Sequence, residues 1–269
     1  LIKTTYSKDL PLRWVFFSGN SLELKKMYHS FNWHLFFELL MKYDTSEISK
    51  YIQIAKKNHK EGNLFQANEI YKKLINQKIY TYDLLISYGL FNREINNLKI
   101  AINLFFLSIK KYPLIIKSYI LLAEILRKEN NFNDALKTLF AAKKIDTSNS
   151  DIYYNLSITY RAFKSFEDSL LSIDFAIKLQ PKNQIYKILK ADILTESFQN
   201  EEAEELLTNL KLPKDSFLHF QREILISKLL INQKKYTKAE EVLLNLKKLF
   251  HKDKILYLTL SDLYFKNNE

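Results

Sequence analysis

The sequence contains no cysteine, only three glycines and only four prolines among its 269 residues. The absence of cysteine excludes disulfide bonds, zinc–thiolate sites and thiol nucleophiles. The scarcity of glycine and proline argues against a sheet-rich or linker-rich protein and favours helices that are joined by short turns. Three glycines also cannot build a phosphate-cradling loop, and the sequence contains no nucleotide-binding or nucleophile-elbow motif.

Long hydrophobic runs are missing as well. The longest apolar runs, such as 14–17 and 104–107, are far too short to cross a bilayer. No charged segment followed by an apolar segment marks a secretory start. A chain without cysteine suits a reducing cytosol and a disulfide-free periplasm alike, and we expect a cytoplasmic protein without a membrane span.

The sequence has a basic net charge of +11, from 41 Lys and Arg residues against 30 Asp and Glu residues. Lysine, asparagine and isoleucine are abundant along the whole chain, whereas a nucleic-acid footprint would place basic residues together on one surface. The even distribution is typical of a solvated basic surface, and it makes nucleic acid an unexpected partner.

A repeat of 34 residues organises most of the chain. In the stretch Ser150–Pro181, apolar residues at spacings of three and four predict two amphipathic helices, and Pro181 ends the second helix. Small residues in the second helix recur every 34 residues, with one interval of 36: Ala67, Ala101, Ala135, Ser169, Ala203 and Ala239. Such a period predicts helix pairs that bury their apolar faces only against their neighbours.

The repeated residues resemble the tetratricopeptide repeat family. In that family the first helix of each pair, helix A, has an early aromatic residue, then Leu, a small residue and another large residue, and helix B has two small residues around an apolar one. The matching residues are Tyr153, Leu156, Tyr160, Ser169, Ile173 and Ala176, and one repeat earlier Tyr119, Leu122, Ala123, Leu126, Ala135, Leu139 and Ala142. The resemblance implies an all-α fold, a right-handed superhelical α-solenoid of helix-turn-helix repeats, and a protein-binding scaffold.

The resemblance predicts six repeats over residues 48–253. Residues 1–47 form an N-terminal flank in which Leu24, Tyr28, Phe31 and Leu35 predict a helix. That helix either caps the first repeat or belongs to a preceding domain. Residues 254–269 predict helix A of an incomplete seventh repeat or a C-terminal cap, with apolar residues on nearly every face. We therefore expect that the natural chain continues or that this helix associates with a second copy.

The turn between helices A and B is predicted at Gly62 in the first repeat, because glycine can adopt the positive φ that ends a helix. We expect this glycine to be replaced in the later repeats by Asn97, Asn131, Ser165, Gln199 and Lys235, which are mostly polar residues suited to turns. The 36-residue interval and Pro213 predict a longer loop near 211–216.

No residues with the pattern of a catalytic or metal site are present. The five histidines are scattered without ligand spacing: His29, His34, His59, His219 and His251. We expect a non-enzymatic protein without metal or cofactor.

The candidate binding residues lie on helix A, because members of the tetratricopeptide repeat family bind partners in the concave groove that helices A line. One variable position of helix A is basic in four successive repeats, and other groove positions hold further polar candidates: His59, Arg93, Arg127 and Arg161, then Lys56, Lys117, Tyr154 and Asn155. Asn155 matches an asparagine that holds the ligand backbone in several family members. The set that chaperone-binding members use to hold two carboxylates is not reproduced.

These residues leave several functions open. Guanidinium groups bind carboxylate or phosphate bidentately, so the line of arginines predicts an acidic peptide partner. A cation in the last turn of a helix also stabilises the helix dipole, which explains the arginines without a ligand. The alternative functions are a substrate-positioning arm of an enzyme, with a glycosyltransferase- or sulfotransferase-like domain outside this chain, and single-stranded nucleic-acid binding. Nucleic-acid binding needs groove aromatics, of which only Tyr154 obviously qualifies.

Overall fold

A computed structural model describes residues 45–214 and 216–267, which contain thirteen α-helices and no strand. The helices are α1 (Thr45–Lys60), α2 (Leu64–Asn76), α3 (Tyr82–Glu94), α4 (Leu98–Lys111), α5 (Ile116–Lys128), α6 (Phe132–Ile145), α7 (Ser150–Ala162), α8 (Phe166–Leu179), α9 (Gln184–Glu196), α10 (Asn200–Asn209), α11 (Phe217–Asn232), α12 (Tyr236–Leu249) and α13 (Lys254–Lys266). The prediction of an all-α repeat array is confirmed. The predicted helix of the N-terminal flank lies outside the described residues.

The chain divides into two units, Leu1–Gln53 and Ile54–Glu269, with the boundary inside α1. Of the first unit the structure describes only 45–53, the first part of α1. In the second unit each odd-numbered helix from α3 to α11 is helix A of a pair, and the even-numbered helix after it is helix B. In the described part of the chain, no helix is both long and apolar enough to cross a membrane.

Short polar caps begin several of the helices. The side chains of Thr81, Asn131 and Asn149 accept hydrogen bonds from backbone N–H groups in the first turns of α3, α6 and α7. Ser216 and Asp253 do the same for α11 and α13. These side chains satisfy donors that have no partner within the helix, so each new helix begins a fixed distance after the last.

Small residues allow helices A and B to approach each other closely. All six residues of the small series in helix B are fully buried, as are Ala123, Ser157 and Ala191 on the facing side of helix A. In α3 a Cβ atom added to Gly89 would lie only 2.3 Å from the ring of Phe105 in α4. In the pair α7 and α8, the hydroxyl oxygens of Ser157 and Ser169 are 3.1 Å apart. The close contact of small residues therefore recurs from pair to pair.

Neighbouring pairs share one apolar core. A cluster of buried residues continues from α5 through α9: Tyr119, Ala123, Ala135, Leu139, Ala142, Ile152, Tyr153, Leu156, Ile173, Ala176, Tyr186, Leu189 and Ile193. A second cluster joins α11, α12 and α13 through Phe220, Leu243 and Leu256. Each helix pair buries its apolar faces against its sequence neighbours, as the 34-residue period predicts.

The position of the left-handed turn residue differs from the prediction. Gly62 has a φ of 81°, but the positive φ values in the later repeats lie at Asn96, Asn130, Lys164, Phe198 and Lys234, one residue before each predicted position. The predicted residues Asn97, Asn131, Ser165, Gln199 and Lys235 are instead the N-caps of helices B. The prediction was wrong because it followed polarity, whereas hydrogen bonding ends helix A at a fixed length whatever residue follows. The longer connection after α10 lies where it was predicted, between Asn209 and Phe217.

Candidate functional site: the line of cations on helices A

The four predicted basic residues occupy equivalent places in successive helices. His59 lies in the last turn of α1, Arg93 in that of α3, Arg127 in that of α5 and Arg161 in that of α7. All four have partly buried side chains, and none is fully exposed. The repeat thus aligns them on the face that helices A present, and the cations differ mainly in what the next helix A offers each of them.

Three of the four cations are paired with carboxylates from the next helix A. The Nε2 atom of His59 lies 2.9 Å from Glu94, and the Nη1 atom of Arg93 lies 3.0 Å from Glu124. The Nη2 atom of Arg161 lies 2.6 Å from Asp192 and 2.7 Å from Glu196. These pairs link one repeat to the next.

Arg127 is the exception in this line. Its Nη1 atom donates a hydrogen bond of 3.1 Å to the hydroxyl oxygen of Thr159, a neutral acceptor, and it has no ion pair with any residue that the structure describes. The carboxylates that pair with the other cations lie 31 or 35 residues after them. At the corresponding distances after Arg127 the sequence has Ile158 and Ala162. The substitution of two apolar residues therefore leaves Arg127 without a carboxylate from the next repeat.

The surroundings of Arg127 and Arg161 shift their pKa values in opposite directions. Burial lowers the pKa of the Arg127 guanidinium, and the charge of Glu124 opposes this only in part. Burial also acts to lower the pKa of Arg161, but its hydrogen bond to Glu196 and the charges of Asp192 and Glu196 raise the pKa above its ordinary value. The charge on Arg161 is thus stabilised within the protein, whereas the charge on Arg127 is only weakly compensated.

Burial has a matching effect on the carboxylates of Arg161. It raises the pKa of Asp192 despite the opposing charges of Arg161 and Lys228, whereas the hydrogen bond from Arg161 lowers the pKa of Glu196. The Oδ1 atom of Asp192 is buried and has no hydrogen-bond partner among the described residues. Glu196 is therefore the acceptor that holds Arg161 most effectively, and Asp192 depends on Arg161 for its only ion pair in the described part of the chain.

Two tyrosines lie beside Arg127. The rings of Tyr154 and Tyr186 are 5.2 Å apart, and the hydroxyl of Tyr186 donates to Asp151 at 2.9 Å. Burial raises the pKa of Tyr154, while the nearby charges of Arg127 and Arg161 act to lower it. Tyr154 therefore lies within the electrostatic range of both arginines, and it supplies an aromatic surface next to the weakly compensated cation.

The remaining predicted residues have other surroundings. The Nζ atom of Lys56 is 2.6 Å from Asp83 in the next helix A. The amide of Asn155 is buried and donates to the backbone oxygen of Asp151 in its own helix. Lys117, at the start of α5, is exposed and makes no hydrogen bond or ion pair with the described residues. Of the predicted set, Lys117 and Arg127 are thus the two cations without a carboxylate partner in the described part of the chain.

The sequence analysis did not pair the cations with their acids. Glu94, Glu196 and Tyr186 were not among the predicted groove residues, although the structure places all three beside predicted ones. A signal for the acids does exist in the sequence, because each lies 31 or 35 residues after its cation. Among the described residues, no group of three His, Asp or Glu side chains could hold a metal ion.

No family model and no curated protein matches the sequence. Solved structures do match. A tetratricopeptide repeat protein from Parabacteroides merdae is similar with a TM-score of 0.66 and 11% identity, over 84% of this chain and 88% of that chain. PilF from Pseudomonas aeruginosa is similar with a TM-score of 0.58 and 14% identity, over 80% of this chain and 97% of its own.

MamA from Desulfovibrio magneticus RS-1 is also similar, with a TM-score of 0.52 and 18% identity over 60% of this chain and 91% of that chain. At these identities the likeness concerns the fold, and it agrees with the repeat in the sequence and with the buried small residues of the helix pairs. The chain is an α-solenoid with the fold of the tetratricopeptide repeat proteins.

Proposed function

We propose that this protein is a non-catalytic scaffold that binds an acidic segment of a partner protein on the face formed by helices A, with Arg127 as the residue that recognises a carboxylate. The observation that supports this proposal most directly is the missing partner of Arg127. A partly buried guanidinium group with one neutral acceptor gains more from a ligand carboxylate than a guanidinium that is already paired. Tyr154 and Tyr186 supply an aromatic surface on which the ligand chain can pack.

The proposal assigns different roles to the arginines of the line. A ligand carboxylate at Arg161 would have to compete with Asp192 and Glu196, and at Arg93 it would have to compete with Glu124. Breaking such a pair leaves a partly buried charge without its partner, which is costly. Recognition of acid is therefore expected at one arginine, while Arg93 and Arg161 link the repeats to one another.

The experiment measures binding of two fluorescent peptides by anisotropy, one rich in Glu and a counterpart with Gln at every Glu position. We expect the wild-type protein to bind the Glu peptide more tightly. Arg127→Met keeps the apolar stem but removes the charge, and it should remove this preference by about 1.5–3 kcal/mol, the range of a hydrogen bond to a charged group. The loss should leave the weaker Gln-peptide binding unchanged.

Arg93→Met is the matched control, because it removes an equivalent cation that is already paired with Glu124. It should retain the preference for the Glu peptide and lower the free energy of unfolding instead. Equal affinity of the wild-type protein for both peptides would refute acidic recognition. If Arg93→Met and Arg127→Met reduced the preference equally, the arginines would act as a ladder rather than through a single residue.

A further inference from the structure

The exposed face of α13 repeats the sequence pattern of a buried face in α7. Tyr257, Leu260 and Ser261 have the same spacing as Tyr153, Leu156 and Ser157, which are buried in the pair α7 and α8. Tyr153 is 7% exposed, whereas Tyr257 is 43% exposed, and Ser157 is fully buried, whereas Ser261 is exposed. The pattern that is covered by a helix in α7 is therefore uncovered in α13.

The covering element in α7 is helix α8, and its contacts define what fits the pattern. Ser169 of α8 contacts Ser157, and the ring of Phe175 stacks on Tyr153 with centroids 5.5 Å apart. The opposite face of Tyr153 carries Lys143, whose Nζ atom is 5.0 Å from the ring centroid. The pattern thus receives a helix with a small residue at its centre and an aromatic residue about one to two turns away.

The same lysine contact is present in α13, but a covering helix is not. The Nζ atom of Lys247 lies 5.5 Å from the ring centroid of Tyr257. On the other side of the helix, a cavity of about 600 Å³ is lined by Leu244, Lys247, Tyr257, Leu260, Ser261, Tyr264 and Phe265. No described helix occupies this cavity. Its lining combines the small residue and the aromatic residue that α8 covers in the earlier pair.

We propose that α13 of a second copy of this chain occupies this position, antiparallel to the first and related to it by a two-fold axis near Ser261. The helix has the features that the pattern requires, because Ser261 is its central small residue and Phe265 lies one turn later with 83% of its side chain exposed. In an antiparallel pair centred on Ser261, Phe265 of each copy faces Tyr257 of the other. The surface is therefore complementary to itself, as a two-fold interface requires.

The chain has no cysteine, so Ser261→Cys introduces a single thiol at the proposed axis. Two helices that meet at small residues bring their Cα atoms within disulfide range, so mild oxidation should link the variant into a covalent dimer. Phe106→Cys, at an exposed aromatic position on α4, is the control and should crosslink at least tenfold more slowly. Equal crosslinking rates for the two variants would overturn the proposal.

The mass of the unmodified protein gives an independent test. In sedimentation velocity over roughly a hundredfold range of concentration, the wild-type protein should shift from monomer to dimer, because association follows mass action. Ser261→Glu places two like charges at the axis, and it should weaken dimerisation at least tenfold while leaving the circular dichroism spectrum unchanged. A protein that stays monomeric throughout, or a dimer that survives both Ser261→Glu and Phe265→Ser, would exclude this interface.

Discussion

Six residues other than glycine adopt a left-handed backbone in the described part of the chain: Lys78, Asn96, Asn130, Lys164, Phe198 and Lys234. This conformation brings the Cβ atom too close to the following carbonyl oxygen, although asparagine tolerates it better than other residues. Five of these six residues end helices A, where Gly62 adopts the same conformation in the first repeat. These turns therefore store local strain that the helix packing on either side maintains.

Phe198→Gly should relieve this strain and stabilise the protein by about 0.5–1 kcal/mol. The strain of a left-handed residue exceeds the extra entropy that glycine gains in the unfolded chain. The lost side chain contributes little packing because 72% of it is exposed. Urea unfolding measures the effect. Asn130→Gly, at the same φ of 59°, should give almost no gain; an equal gain in both variants would show that the strain does not depend on the residue type.

At the scale of the helix, close contact between helices A and B depends on the absence of a side chain at one position. Gly89 lies in the middle of α3, where glycine is unfavourable for helix formation. The ring of Phe105 lies where its Cβ atom would be. The packing of α4 against α3 therefore requires glycine here, while the equivalent positions of α5 and α9 accept alanine, at Ala123 and Ala191.

Gly89→Ala is expected to destabilise the protein by about 1–3 kcal/mol, because the added methyl group overpacks a filled contact even though alanine favours the helix. The measurement is the free energy of unfolding, with and without Phe105→Leu. If the ring causes the clash, Gly89→Ala should cost less in the Phe105→Leu background. The same cost in both backgrounds would mean that the helices are held apart by other contacts.

At the scale of the whole molecule, buried tyrosines make stability sensitive to alkaline pH. Burial, with the charges of Asp83 and Glu94, raises the pKa of Tyr71 to about 12, and its hydroxyl has no hydrogen-bond partner among the described residues. Burial also raises the pKa of Tyr82, Tyr88, Tyr112, Tyr119, Tyr154, Tyr160 and Tyr186. These side chains are distributed from α2 to α9, so several helix pairs share this sensitivity.

The free energy of unfolding should therefore fall as the pH rises from 10 towards 12. Below pH 10 Tyr71 is protonated in both states, and above pH 10 it loses its proton first in the unfolded chain, which favours unfolding. Tyr71→Phe removes this contribution, up to about 2 kcal/mol at pH 12, and should cost little stability at pH 7. Urea unfolding across this pH range measures the slope. An identical slope for Tyr71→Phe and wild type would contradict the assignment.

The sequence by itself determined the repeat and therefore the fold. Each helix pair buries its small and apolar residues against its neighbours in sequence, so the 34-residue spacing of Ala67, Ala101 and Ala135 already specified which faces pack together. The line of cations followed from the same spacing. The role of that line as a binding site for an acidic partner stays a prediction.

Only the tertiary structure decided what each cation contacts. A guanidinium group reaches its partner across two helices, so the partner depends on the side chain that the next helix A places there, Glu124 for Arg93 but Ile158 for Arg127. The turn residue was decided in the same way, because Phe198 is left-handed through the hydrogen bonds that end α9 and not through its own preference. Periodicity thus specified which residues align, and three-dimensional packing specified which of them remain free to bind.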